Sequence, residues 1–138
     1  MKIEIWEAAG KELAAGRRVF VSLVATNEKG SPGTAAAGLL LDERGRQRGT
    51  VGGGIMEKRT LERGAQRLAA ADPRPPTLIP LRHRAAGKGE ASGLVCGGSQ
   101  TNVEAVLGGP EDAAVLAEAI RKRAAGEPSA ARFDACGL

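Results

Sequence analysis

Thr50-Val51-Gly52-Gly53-Gly54-Ile55-Met56-Glu57 is the stretch on which the fold turns. A β-rich segment runs into three consecutive residues without side chains and continues with the spacing of a helix. Upstream, residues 35–41 predict a strand, Asp42-Glu43-Arg44-Gly45 a hairpin-like turn, and residues 47–51 the returning strand. Downstream, Leu61, Ala65, Leu68 and Ala69 share one face of a helix and Arg59, Arg63 and Arg67 another, until Asp72-Pro73-Arg74-Pro75-Pro76 ends it. Such a strand–bend–helix corner can aim backbone N–H groups and a helix dipole at an anion, or it can be a tight packing turn. Residue types alone leave both readings open. Gly52, Gly53 and Gly54 match neither the dinucleotide fingerprint nor a Walker loop, so nucleotide hydrolysis is not expected.

Working outward, Trp6, Ala9 and Leu13 predict an amphipathic helix over residues 3–15, closed by Gly16. The β-branched, apolar run at residues 19–25 predicts a buried central strand, and Gly30-Ser31-Pro32-Gly33 a loop. Residues 77–81 read as an edge strand because prolines lie in and beside them, and residues 82–92 as a polar loop. A ligand-facing turn at Val95-Cys96-Gly97-Gly98-Ser99 feeds a strand to residue 105. Gly109-Pro110-Glu111-Asp112 starts a last helix that ends in Arg121-Lys122-Arg123, a charge order that suits the helix dipole. Residues 130–134 offer a short terminal strand or a frayed end. With 138 residues and 42% hydrophobic composition, the chain supports one ordinary core. The expected fold is a single domain over residues 1–138, α/β or α+β, with a mixed sheet flanked by helices.

Bulk composition removes several function classes. Twenty Lys and Arg against 16 Asp and Glu leave a charge of +4, which favours anionic partners without naming one. Trp6, Phe20 and Phe133 are the only aromatic rings, too few to stack single-stranded nucleic acid, and no recognition motif is present, so nucleic acid is not an expected partner. The longest apolar runs, residues 19–25 and 35–41, fall far short of the roughly 20 residues that cross a bilayer. The N-terminus lacks the apolar core of a secretory signal, so a cytoplasmic location without membrane contact is expected. Cys96 and Cys136 make no disulfide framework and cannot by themselves make a tetrahedral zinc site. A small glycine-rich domain gains core by association, which favours a homodimer.

The candidate chemistry gathers at the glycines. Cys96 beside Gly97 and Gly98 is either a thiolate open to metal or sulfur species or a small buried hydrophobe. Glu57, in the first helical turn, either stabilises the helix terminus or contacts a ligand. His83, the only histidine, lies in the basic tract Arg82-His83-Arg84 with no evident acidic partner. Arg44, Arg46, Arg48, Lys58, Arg59, Arg63 and Arg67 surround the bend, as a solvated basic face or as a docking surface for a phosphate or an acidic partner. No paired acid–base constellation accompanies them, which favours carriage and docking over independent turnover and leaves open whether the protein is an enzyme.

Three segments, Gly30-Ser31-Pro32, Gly49-Thr50-Val51-Gly52-Gly53-Gly54-Ile55-Met56-Glu57 and Gly93-Leu94-Val95-Cys96-Gly97-Gly98-Ser99, in this order over residues 5–107, resemble the N-terminal domain of the XdhC/CoxI family. These are accessory proteins for the maturation of molybdenum hydroxylases such as xanthine dehydrogenase. The resemblance implies binding, sulfuration or insertion of the molybdenum cofactor (molybdopterin), an apo-molybdoenzyme subunit as partner, and a sulfur donor protein. It places Gly52, Gly53, Gly54, Glu57, Cys96, Gly97 and Gly98 at the cofactor, its phosphate near the three glycines, with Cys96 at the molybdenum. The chain departs from the family pattern in Gly33-Thr34-Ala35-Ala36, where an Arg is usual, and in Leu94, where a Met is usual. Longer members also carry a C-terminal dinucleotide-type domain, which is not expected within these 138 residues. The alternative is a non-enzymatic regulatory or assembly module that keeps the fold without the cofactor.

Overall fold

At the centre lies β1 (Val19–Asn27), whose dense β-branched and apolar residues suit a strand buried on both faces. The structure, a computed structural model, describes residues 2–70, 75–82 and 98–133. Around β1 are α1 (Ile3–Ala14), β2 (Gly38–Asp42), β3 (Gln47–Thr50), α2 (Gly54–Ala69), β4 (Thr77–Arg82), β5 (Ser99–Leu107) and α3 (Pro110–Ala124). The five strands form one sheet in the order β3-β2-β1-β5-β4, and each neighbouring pair is antiparallel. Of the two fold classes the sequence leaves open, the protein takes α+β: one compact domain with a sheet flanked by helices.

Alternation along β1 divides the core. Val19 and Val21 join Leu40, Ala105 and Leu107 on the face covered by Ile5, Ala9 and Leu13 of α1 and Leu116 of α3. Phe20 and Val24 join Leu39, Leu41, Val51 and Leu81 on the opposite face, under Met56 and Leu68 of α2. Each fully buried side chain of this size contributes on the order of 2 kcal/mol, so the two-sided burial of β1 anchors both layers. The predicted central strand is thus central.

Local punctuation follows the residues expected to supply it. Gly16 (φ +72°) ends α1: its N–H donates to the Leu13 carbonyl at 2.9 Å, and the Arg17 N–H to that of Glu12 at 2.9 Å, a double C-terminal closure. Between β2 and β3, the buried Asp42 carboxylate accepts the Arg44 and Arg46 N–H groups at 2.9 Å each and Arg46 Nε at 2.7 Å. Burial pushes its pKa up, but these bonds outweigh burial and hold it below the usual value. Pro80 lies in β4, which among the described residues pairs with β5 alone, at the edge expected from its prolines. At the other edge, β3 is four residues long and exposed throughout.

Three expectations shift. The second strand starts at Gly38 because the chain turns first: Ala36 has φ +64° and donates to the Val24 carbonyl at 3.0 Å. Residues 130–133 form no strand, and Asp134 lies outside the described residues. The inward face of α2 is Met56, Thr60, Gly64 and Leu68, with Ala65 and Ala69 exposed, whereas hydrophobic spacing pointed to Leu61, Ala65, Leu68 and Ala69. Gly64 explains the rotation. A methyl group there would stand 2.5 Å from Cδ1 of Phe20, so only a bare backbone lets the helix seat directly on that ring.

Candidate functional site at the glycine loops

Antiparallel pairing brings the end of β1, the start of β2, the end of β3 and the start of β5 to one end of the sheet. The Gly30-Ser31-Pro32-Gly33 loop therefore lies against both glycine segments. A methyl group on Gly52 would stand 2.9 Å from the Gly33 nitrogen, and one on Gly98 would stand 2.7 Å from the Ser31 nitrogen. Real Cβ atoms do not approach so closely, and both residues also hold positive φ (+128° and +142°). Gly52 and Gly98 are glycines because backbone passes backbone there. Gly53 differs: its conformation (φ +78°, ψ −170°) belongs almost solely to glycine, and a methyl group on it would meet nothing within 4 Å. Among these glycines, Gly53 has space for close approach of a ligand.

A residue that the sequence reading passed over ties these loops together. Gln100, 2% exposed, accepts the Ser31 hydroxyl at 2.7 Å and the Gly33 N–H at 3.1 Å through Oε1. Its Nε2 donates to the Val51 carbonyl at 3.1 Å and to Oδ1 of Asn102 at 3.0 Å, and Asn102 donates onward to the Ser22 hydroxyl at 3.2 Å. Both ends of the amide are thereby satisfied, and the loop, the bend and β5 are fixed to one another. The available signal was Gln100, Asn102 and Glu104 recurring every second residue, which aligns three polar side chains on one face of a strand.

Glu57 also has its partners assigned. One carboxylate oxygen accepts Gln47 Nε2 at 2.8 Å, and the other accepts the Val51 N–H at 3.0 Å, the Gly53 N–H at 3.2 Å and the Thr50 hydroxyl. Burial raises the pKa of this carboxyl, but the bonds from Thr50, Gln47, Val51 and Gly53 together bring it below the usual value. One of the two readings left open for the bend, and the one the family resemblance implies, has it present bare donors to an anion. Instead, the N–H groups of Val51 and Gly53 face a carboxylate of the chain itself.

The basic cluster is also largely committed to internal partners. Arg63, read as one of three solvated arginines, binds the 1%-exposed Glu104 through both carboxylate oxygens, at 3.1 and 2.7 Å. Arg67 is buried and donates to the Glu104 carbonyl at 3.0 Å. Arg46 pairs with Asp42 and Glu12, and Lys58 lies 4.0 Å from Glu62. The polar face of α2 thus serves the sheet as much as the solvent.

Of the residues expected at a cofactor, the structure brings Gly52, Gly53, Gly54, Glu57 and Gly98 to the same end of the sheet. Cys96 and Gly97 lie outside the described residues, as do His83 and Cys136. No cluster of three or more His, Cys, Asp or Glu able to hold a metal ion occurs among the described residues. None of the described helices is long and apolar enough to cross a membrane. For a molybdopterin-type ligand, the open space at Gly53 fits close approach of a flat group. The donors at Val51 and Gly53 do not fit its phosphate, because Glu57 holds them.

An antiparallel sheet layered between helices, with three glycine loops gathered at one end, defines the class of domain. The sequence profile of the XdhC and CoxI family matches residues 12–79 of this chain. A solved structure described as a xanthine dehydrogenase from Bacillus halodurans superposes with a TM-score of 0.69 at 19% sequence identity. That likeness, one of fold, covers 90% of this chain and 35% of that protein, so this chain spans about a third of its length. No curated protein matches the sequence. Over residues 12–79, just under half of its length, the chain is similar to the XdhC and CoxI family, and its fold is that of part of the solved structure.

Proposed function

We propose that this domain serves the maturation of molybdenum hydroxylases, holding the molybdenum cofactor at the glycine loops while another surface meets the recipient apo-enzyme. The observation that carries the reading is the convergence of sequence-distant segments that share the family pattern: Gly52 and Gly98 both pack on residues 30–33, and Gly53 opens outward from that junction. In this reading Gly53 allows close approach of the ligand, and Glu57 and Gln100 hold the loops in register. Cys96, two positions before Gly98 in the sequence, supplies a thiolate for molybdenum or transferred sulfur. The cofactor, when bound, supplies the metal chemistry; the protein supplies a rigid seat. A sulfur donor protein and an apo-molybdoenzyme subunit are the partners this role requires.

A second reading has its own observation. Gly52 and Gly98 are fully explained by contacts within the chain, as a regulatory or assembly module without cofactor would require. Anaerobic reconstitution of the full chain with molybdopterin separates the two. Retention of cofactor through gel filtration, lost on Cys96→Ser or Gly53→Ala and kept on Cys136→Ser, is the outcome expected of a carrier. A folded chain that retains none, yet binds a molybdoenzyme subunit, establishes the assembly module and refutes cofactor carriage.

A further inference from the structure

The N-terminus of α2 concentrates backbone donors and the positive end of a helix dipole, the arrangement that ordinarily draws phosphate. Here two of those donors, at Val51 and at the capping Gly53, are already taken. One oxygen of Glu57 takes the Val51 N–H, the Gly53 N–H and the Thr50 hydroxyl together, while the other takes Gln47. We infer that Glu57 is a built-in anion that closes this bend to phosphate.

Two physical effects act together. The carboxylate fills the positions a phosphate oxygen would need, and its charge repels a second anion arriving at the remaining donors of the same helix turn. The arrangement is fixed from two sides, because Thr50 and Gln47 belong to β3 whereas Glu57 belongs to α2. Gly52, whose N–H donates to the Thr50 hydroxyl at 3.1 Å, is drawn into the same closure. The inference concerns the chemistry of the bend alone and holds whether or not the domain carries a cofactor.

Amide spectra of the ¹⁵N-labelled full chain, titrated with inorganic phosphate at constant ionic strength, test it. In the wild type, the Val51 and Gly53 signals are expected to move no more than they do with chloride. In Glu57→Ala the same signals are expected to show a saturable, phosphate-specific shift, with affinity at least about tenfold above any in the wild type. A saturable phosphate shift at those amides in the wild type, or none in a folded Glu57→Ala, overturns the assignment. If Glu57→Ala does not fold, Glu57→Gln keeps an oxygen on the Val51 and Gly53 donors but removes the charge, so the readout moves to the Gly54, Ile55 and Met56 amides of the same helix turn, and phosphate binding there no stronger than in the wild type overturns it equally. Retention of molybdopterin in the reconstitution above is a separate readout, so either reading can fail while the other stands.

Discussion

Replacing Gln100 with leucine removes the amide that joins the 30–33 loop and the Val51 bend to β5 and leaves the volume nearly unchanged. Three of its partner groups sit in buried bonds: the Gly33 N–H, the Val51 carbonyl and Oδ1 of Asn102; the fourth, the Ser31 hydroxyl, is partly exposed and can turn to water. At roughly 1 kcal/mol for each buried group left without a partner, Gln100→Leu should lose about 3 kcal/mol. That is a large share of the roughly 5–15 kcal/mol that stabilises a domain. Gln100→Glu gives the sharper readout. Its carboxylate still accepts from Ser31 and Gly33 but turns an oxygen toward two acceptors, and burial and that repulsion raise its folded pKa above the unfolded one. A raised pKa contributes stability at low pH that is lost as pH rises, so Gln100→Glu should be more stable relative to wild type at pH 5 than at pH 7. Urea unfolding followed by circular dichroism at both pH values measures both effects. A loss below about 1 kcal/mol for Gln100→Leu, or a Gln100→Glu penalty independent of pH, refutes the claim that the amide carries the junction.

Three further outcomes follow from contacts described above. Gly64→Ala should lower the melting temperature despite the better helix propensity of alanine, because a methyl group 2.5 Å from the Phe20 ring costs about 1–3 kcal/mol against a gain of about 1 kcal/mol; a rise in Tm would show that α2 does not seat on that ring. Arg63→Met should destabilise by about 3 kcal/mol in urea, since it strands the buried Glu104 carboxylate, and a neutral effect would remove the ion pair from the core. Glu57 and Asp42 have folded pKa values below their ordinary 4.5 and 3.8, so the stability they contribute is complete above those values and is lost as pH falls. Acid titration of stability should therefore be less steep in Glu57→Gln, and an unchanged acid limb would contradict the bonded carboxylate.

Much of the architecture is legible in single residues. The apolar run of β1 marks the centre of the sheet, Pro80 marks an edge, and Gly16 and Pro110 mark a helix end and a helix start. Each acts through local backbone physics that sequence carries directly. The polar interior is not legible in this way. Gln100 and Glu104 resemble outward positions on a half-buried strand until the 30–33 loop and the Val51 bend close over the first and Arg63 and Arg67 of α2 close over the second. Arg63 and Arg67 likewise belong to a solvated stripe on helical spacing alone; the rotation of α2 toward β5 turns them inward. At the site, the glycine segments announce themselves by composition. What distinguishes Gly53 from Gly52 and Gly98 is the neighbour each meets, which depends on residues as much as 68 positions away and so on the completed fold.

The two outer strands have a consequence for how the molecule meets its own copies. Another chain's strand can extend a sheet only along an edge with a regular row of free N–H and C=O groups. Here one margin carries Pro80, which lacks a donor, and the other is four residues long and contains Gly49 at φ +75° with Arg48 beside it. Among the described residues neither margin is a regular template, so crowded solutions should stay clear of fibrous stacking, and self-association is expected to use side-chain surfaces instead of a shared ladder.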